Sequence, residues 1–456
     1  MSDRLASSYR DPSGFIFTQD QEIYRQINPI YFDEYTSVKN SGVYEELFEK
    51  GWLVKHIEVS ATAEKIILKP EQLPFITYPY EWSFTQYKHA AQLTLRIQLL
   101  LLERGFSLKD ASAFNVTFHH GKALFIDTLS IEKYVDNSPW RALEQFNKHF
   151  FAPLLLSQKY GAHHLKILQQ HIDGQTLSQT AAQLSWKTRF HPVIYPHIHL
   201  LAKTEAAIAS TDKSSKTPSI SKAAQIKMLK VLEMHIGNMK LNESTEWSAY
   251  YHQTNYEQQA FELKKKLVHE WCDEINTTRA IDLGGNDGTF ASVLPNSVHM
   301  AIVSDIDQSA INQCYTQQLK ATSKRLIPMV TDLMQPAPSI GWNNKERDSF
   351  IKRVQQFKPD VSLALALIHH ITLTGNVPFD MSAAFFASMS EYLLIEFPDK
   401  EDSWVQYILE SKRDARHLFE DYGVSAFAKA YSQQFSIIKE EKIEGTHRTL
   451  YMMQRK

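Results

Sequence analysis

Cysteine is nearly absent: 456 residues contain two, Cys272 and Cys314. Neither stands in a Cys-x-x-Cys or Cys/His ligand spacing, which argues against a disulfide framework or a structural zinc site and points to a reducing cytoplasm. An excess of one charge is missing as well. Lys and Arg total 49 against 51 Asp and Glu, a formal net charge of −2, so nothing draws the chain as a whole to nucleic acid or to an anionic membrane. Long apolar runs are also lacking. IQLLLL (97–102) and LALALI (363–368) fall far short of the ~20 residues that span a bilayer, and MSDRLASSYRDPSGF at the N-terminus has no apolar signal core. No repeat of fixed period is present. What is there is ordinary globular material, 43% hydrophobic and 12% aromatic, with enough length for two or three cores. The expectation is a soluble cytoplasmic protein with no membrane span and no nucleic-acid partner.

One segment interrupts the pattern. Residues 209–222, ASTDKSSKTPSISK, hold Ser, Thr and Lys but no aromatic, and such a run buries too little to offset its ordering entropy. The chain is therefore expected to divide into an N-terminal tail (1–27), an accessory domain (28–202), a flexible linker (203–225) and a C-terminal domain (226–456). Within the accessory domain, WLVKHIEVS and AEKIILK (52–69) read as a hairpin, 84–104 as a helix closed by Gly105, and NVTFHHGKALFIDTLS as two strands around a His-Gly turn. Residues 140–202 read as largely helical.

The C-terminal half alternates. After a helical stretch (256–272), the short apolar runs AIDL, HMAIVS, RLIPMV, VSLALAL and YLLIEF are separated by helix-compatible segments, the pattern of a parallel sheet built from βαβ units. FSIIKEEKI and RTLYMMQ, joined by EGTH, close it as an antiparallel hairpin. The predicted fold is α/β, a Rossmann-like sheet preceded by an α+β or helical accessory domain.

The sharpest local motif is AIDLGGNDGTFAS (280–292). A strand runs into Gly284-Gly285-Asn286-Asp287-Gly288 and then into a helix near Thr289. Missing side chains let a ligand approach the backbone closely, and a helix N-terminus offers free N–H donors. Dinucleotide-binding folds use such a turn too, so the following strands discriminate. Asp282, Asp305 and Asp332 each fall at the end of a successive strand, on the edge where open α/β sheets bind ligands. Each aspartate alone also fits a helix cap, as Asp307 does.

DLGGNDGTF resembles motif I of class I S-adenosylmethionine (SAM)-dependent methyltransferases, with Asn286 where the family more often has glycine. DLMQPAPSIGWNNKERDSFIKR (332–353), PDVSLALALIHHI (359–371), GNVPF (375–379) and LIEFPDKEDSWVQYIL (394–409) resemble a bacterial family of such enzymes, related to the nodulation host-specificity methyltransferases and often associated with surface-polysaccharide genes. The resemblance covers nearly all of 245–456. It implies SAM as cofactor and a small-molecule or saccharide-type acceptor. It also implies a cofactor site of Asp282, Gly284, Gly285, Asn286, Gly288, Phe290, Asp305, Ile306, Asp332 and Leu333, with Asp305 on the ribose and Asp332 near the adenine. His369 and His370, after the fourth strand, and Glu396, at the end of the fifth, are candidates to handle the acceptor's proton. In-line displacement at a sulfonium needs no metal in this domain.

A second constellation lies at 95–130: a long apolar helix, Asp110, Asn115, then a hairpin ending in Asp127. It resembles the catalytic segment of protein-kinase-like and aminoglycoside-phosphotransferase-like folds, which implies ATP and Mg²⁺. No Gly-rich phosphate loop precedes it, Lys55, Lys65 and Lys69 compete for the phosphate-lysine role, and Asp127 is followed by Thr-Leu. The alternatives are a methyltransferase fused to a small-molecule kinase, or a non-catalytic SAM-binding protein that recruits a partner. The aromatic clusters YPYEW (78–82) and WSAYYHQTNY (247–256) are expected to be packing, the second with the option of a lid. The pair His197 and His199 lacks a third ligand and reads as structure.

Overall fold

The computed structural model of the chain describes residues 3–210, 219–241 and 258–456. The chain divides into two compact units, Met1–Glu243 with Ser339–Arg347, and Ser244–Pro338 with Asp348–Lys456. Among the described residues, no helix is long and apolar enough to cross a membrane.

The first unit opens on strands, which corrects the expected tail over 1–27. β1 (Asp3–Arg4), β2 (Gly14–Gln19), β3 (Glu22–Ile27), β4 (His56–Ala61) and β5 (Ile66–Pro70) form one antiparallel sheet in the order β1-β2-β3-β5-β4. Asp20 and Gln21 join β2 to β3 with φ of 51° and 66°, the pair of positive φ values whose twist suits a two-residue hairpin. Asp-Gln is not the Asn-Gly or Asp-Gly pair that marks such a turn in a sequence, so the hairpin hides there. Helix Phe84–Glu103 forms where the spacing predicts it, with a Ser83/Gln86 capping box at its start and Gly105 beyond its end at φ 84°. β6 (Phe106–Leu108) pairs with β9 (Ile131–Lys133), and β7 (Val116–His119) with β8 (Lys122–Phe125) around His120 and Gly121.

The expected linker is shorter than 203–225. Residues 211–218 lie outside the described ones, and helices Leu201–Ser210 and Lys222–Asn238 stand on either side. Helix Lys222–Asn238 packs on Phe84–Glu103: Lys88 Nζ donates to the carbonyls of Gly237 and Met239 at 2.9 and 2.8 Å, and Arg96 pairs with Glu233 at 2.8 Å. The expected domain start at 226 therefore falls inside a helix of the first unit.

The second unit is a seven-stranded sheet. β10 (Arg279–Leu283), β11 (Met300–Asp305), β12 (Leu326–Val330), β13 (Val361–Ala364), β14 (Tyr392–Pro398), β15 (Phe435–Ile443) and β16 (Arg448–Arg455) lie in the order β12-β11-β10-β13-β14-β16-β15. The first five are parallel, and β16 is antiparallel to both of its neighbours. The chain winds outward from β10 to β12, then returns to the other side with β13, so the strand order reverses between β10 and β13. A crevice opens at such a reversal. Strand residues such as Ile281, Ile302 and Leu363 are fully buried, as helices on both faces of a parallel sheet require. β13 is shorter than the run VSLALAL: it stops at Ala364, and Ala366 takes a φ of 52°. For alanine that left-handed conformation costs about 1–2 kcal/mol, and it sits where the crevice opens.

Candidate active site

The turn after β10 is shaped by what glycine lacks. A Cβ on Gly285 would lie 2.7 Å from both Cγ and Oδ2 of Asp282, and one on Gly288 would lie 2.7 Å from Cys314 Sγ with φ already at +80°. The missing atoms let the turn fold down over the Asp282 carboxyl. Asn286 holds a positive φ of 49°, which asparagine tolerates better than most residues.

The turn's peptide nitrogens are not free, contrary to expectation. Gly284 and Gly285 N–H both donate to the Ser304 carbonyl (2.8 and 3.1 Å), and Gly288 N–H to the Gly285 carbonyl at 2.9 Å. Asn286 N–H donates to Asp305 Oδ2 at 2.9 Å, Asp287 N–H to Asn286 Oδ1 at 2.9 Å, and Thr289 N–H to Asp287 Oδ1 at 3.1 Å. The helix that follows is a single turn, Thr289–Ser292. A phosphate needs such donors unspent; a ligand that brings its own positive charge needs acceptors.

Acceptors are what the site offers. Asp282 is 1% exposed and its Oδ2 has no hydrogen-bond partner. Burial first, then the charge of Asp305, pushes its carboxyl up to about 7. Asp305, at the tip of β11, accepts from Asn286 N–H and, at 2.8 Å, from Asp307 N–H; burial still raises it to about 6. Asp332, just past β12, accepts from Met334 N–H at 2.9 Å and remains partly exposed, as does Leu333. The three carboxyls share one edge of the sheet because β10, β11 and β12 are parallel neighbours. Ile306 leaves 58% of its surface open beside Asp305, an apolar surface suited to a flat ring. Phe290 departs from expectation: it is 3% exposed, packs against Phe261 with centroids 5.4 Å apart, and belongs to the core under the turn.

Across the reversal, the loop after β13 reaches back to the turn, where a Cβ on Gly284 would meet Leu367 at 3.1 Å. His369 is fully buried with neither ring nitrogen partnered, and its ring lies 4.2 Å from that of His370. Burial, together with the cations Arg448 and Lys264, keeps His369 well below its usual value and neutral. Burial likewise lowers the half-buried His370 to about 4.

Glu396 is not a free base. Its side chain is fully buried, with Oε2 2.6 Å from Lys264 Nζ and Oε1 3.7 Å from Arg448 Nη1. Arg448 in turn grips Asp402 through Nε at 2.7 Å and Nη2 at 3.2 Å. Two cations and two anions thus balance in the interior, where an unpaired charge would be very costly. Lys264 and Arg448 went unnoticed in the sequence, although Lys264 carried a signal. Helix Gln258–Glu274 buries Ala260, Lys264, Val268 and Cys272, so this lysine stands within an apolar stripe of i, i+4 spacing.

In the first unit, Asp110, Asn115 and Asp127 do converge, but on each other's neighbours. Asp110 Oδ1 accepts from Ser112 N–H at 2.9 Å and Gln145 Nε2 at 2.8 Å. Asn115 Nδ2 donates to Ser130 Oγ at 3.4 Å, and Ser130 Oγ donates to Asp127. Asp127 Oδ1 is 2.6 Å from Arg25 Nη1. The guanidinium takes the place a cation would need, and Lys69 pairs elsewhere, with Glu22 at 2.7 Å. Among the described residues, no group of three His, Cys, Asp or Glu could hold a metal ion, so the expectation of Mg²⁺ and ATP gains no support.

The other clusters are packing. Trp82 is fully buried and donates to Thr77 Oγ1 at 3.0 Å. His197 packs on Phe151, and His199 Nε2 lies 2.8 Å from Thr188 Oγ1. The lid candidate at 247–256 lies outside the described residues.

Five parallel strands followed by an inserted antiparallel one, with a glycine turn after β10, give the sheet order of a Rossmann-like methyltransferase fold. No family model matches the chain. It is 33% identical over 466 residues to nodulation protein NoeA of Rhizobium meliloti (strain 1021), a match spanning 99% of this chain and 96% of the relative. The chain belongs to the NoeA family. Among solved structures it is similar to magnesium protoporphyrin IX methyltransferase from Synechocystis PCC 6803 with bound S-adenosylhomocysteine (SAH). That match has 16% identity, 45% of this chain, 89% of the other and a TM-score of 0.30. It is also similar to N-methyltransferase NodS from Bradyrhizobium japonicum WM9, at 11% identity, 44% of this chain, 99% of the other and a TM-score of 0.29.

Proposed function

We propose that the enzyme passes the methyl group of SAM to an oxygen or nitrogen of a small-molecule or saccharide-type acceptor, with the cofactor held by the turn at Gly284–Gly288 and by Asp282, Asp305 and Asp332. The observation that carries this reading is the buried, unpartnered Oδ2 of Asp282 beneath a turn whose N–H groups are all spent. SAM, when bound, supplies a methyl group on a positively charged sulfur. Two buried carboxyls, both raised first by desolvation and Asp282 also by the charge of Asp305, fit a cationic ligand, because its charge offsets the cost of ionising them there. Asp305 accepts from ribose hydroxyls with its remaining lone pairs, and Ile306 and Leu333 flank the adenine.

On the acceptor side, His369 stays neutral with both ring nitrogens unpartnered, so it can orient a hydroxyl or amine hydrogen for in-line attack, with the His370 ring beside it. Positioning of this kind supplies a large part of a displacement's rate. The saccharide class rests on the family resemblance. In the first unit, the Arg25–Asp127 pair favours an accessory role over phosphotransfer, and ATP with Mg²⁺ should leave the melting temperature unchanged.

Calorimetry should detect SAM or SAH binding, and Asp305→Ala should weaken it at least tenfold, about 1.4 kcal/mol. Equal binding by that variant would refute the ribose assignment. Radiolabelled SAM offered to fractionated lysate of the source organism should label one acceptor fraction, and His369→Asn should slow that labelling without changing SAM affinity.

A further inference from the structure

Met334 and Gly375 follow strands that are not neighbours, yet they touch. Met334 lies two residues past Asp332, beyond the end of β12, and Gly375 lies in the loop that follows β13. In the order β12-β11-β10-β13 two strands stand between them, so at the usual strand spacing the two loops start about 14 Å apart. A Cβ on Gly375 would nevertheless lie 2.5 Å from Met334 Cε and 2.8 Å from its Sδ. The four strands are parallel, so both loops leave the same edge of the sheet. The contact therefore spans the ends of β11 and β10, which carry Asp305 and Asp282.

Each footing of this bridge is fixed. Met334 N–H donates to Asp332 Oδ1 at 2.9 Å, and Gln335 N–H to the Asp332 carbonyl at 3.1 Å. Gly375 N–H donates to the His370 carbonyl at 2.9 Å and closes the turn His370–Thr374, and Asn376 Oδ1 accepts from Lys412 Nζ at 2.9 Å. The bridge itself is one unbranched side chain, 49% exposed, whose rotatable bonds let it leave its seat with no movement of the backbone. Glycine makes the seat, since a Cβ there would also lie 2.7 Å from the Ile371 carbonyl oxygen.

Resting on the cofactor site proposed above, we propose that Met334 is a gate over the crevice: seated on Gly375, its side chain bars SAM and SAH, and it swings off to let them exchange. The footings hold still while the thioether moves. The gate thus sets how fast the ligand enters and leaves, and the residues beneath it set the affinity. A gate that opens alike over an empty and a filled crevice changes both rates by one factor and leaves their ratio alone. Lifting a half-buried methionine from its seat takes little, so that factor is about four- to tenfold.

Surface plasmon resonance on the immobilised full chain, with SAH as the probe, reads the two rates separately. Met334→Ala shortens a half-exposed side chain and should raise association and dissociation together by about four- to tenfold, with Kd changed less than about twofold. Met334→Leu, which reaches as far as Sδ and keeps the contact with Gly375, should return both rates to within about twofold of the wild type. A methionine that only touches bound SAH would, when cut back, raise dissociation alone. That outcome overturns the proposal, and so do two rates left unmoved by Met334→Ala. Failure of the wild type to bind SAH overturns the cofactor site itself, whereas wild-type binding with unmoved rates in the alanine variant overturns the gate and leaves the site standing.

Discussion

Replacing Asp282 by asparagine should stabilise the ligand-free protein while weakening its hold on SAM. In an unfolded chain the carboxyl titrates near 3.9; in the folded protein burial and Asp305 raise it to about 7. Below about pH 4 the group is protonated in both states and contributes no penalty. As pH rises toward 7 the unfolded chain ionises freely and the folded one does not, so stability is lost progressively, and above 7 the full loss is in force. Three pH units at 1.36 kcal/mol each amount to about 4 kcal/mol, and relaxation around a buried charge halves this to about 2 kcal/mol. Asparagine mimics the protonated form at every pH, and its amide replaces an equally unpartnered hydroxyl. At roughly 2–4 °C per kcal/mol for a domain of ~200 residues, Asp282→Asn should melt about 4–8 °C higher at pH 8 and show much less gain at pH 5. The same change removes a charge-assisted contact worth about 1.5–3 kcal/mol, so SAM should bind roughly ten- to a hundredfold more weakly. Thermal melts at the two pH values, with and without SAM, measure both effects. A variant that melts below the wild type at pH 8, or gains equally at both pH values, would refute the electrostatic account of the turn.

Gly288→Ala forces a Cβ to 2.7 Å from Cys314 Sγ at a φ of +80°, and strain plus overpacking should cost about 2–4 kcal/mol, read as a lowered denaturant midpoint with an unchanged slope. Ala366→Gly relieves the left-handed φ of 52° and should raise the midpoint by about 0.5–1 kcal/mol, since the strain released exceeds the chain entropy glycine adds. Cys272 and Cys314 are buried, and burial pushes both thiols up; neither should react with a thiol reagent until the protein unfolds.

The parallel sheet was legible because strands buried on both faces are written as unbroken apolar runs, and the turn because Gly-Gly-Asn-Asp-Gly can do little else between a strand and a helix. The three strand-tip aspartates followed from strand spacing, the helix at Phe84–Glu103 from its helical apolar period and Gly105, and the hairpin at 116–125 from its His-Gly turn. The N-terminal hairpin stayed hidden because Asp20-Gln21 carries no glycine or asparagine.

What the chain's own letters determined is the succession of strands and helices in the second unit and the identity of the carboxylates at its strand ends, since both depend on local periodicity and on residues close in sequence. Only the tertiary structure decided which polar groups are already spent. Arg25 reaches Asp127 and Lys264 reaches Glu396 across more than a hundred residues of chain, and those distant partners withdraw one presumed metal ligand and one presumed base while Asp282 Oδ2 is left without a hydrogen-bond partner. Hydrogen bonds and buried charges are satisfied in space, and the free energy of leaving one unsatisfied does not appear in any local pattern.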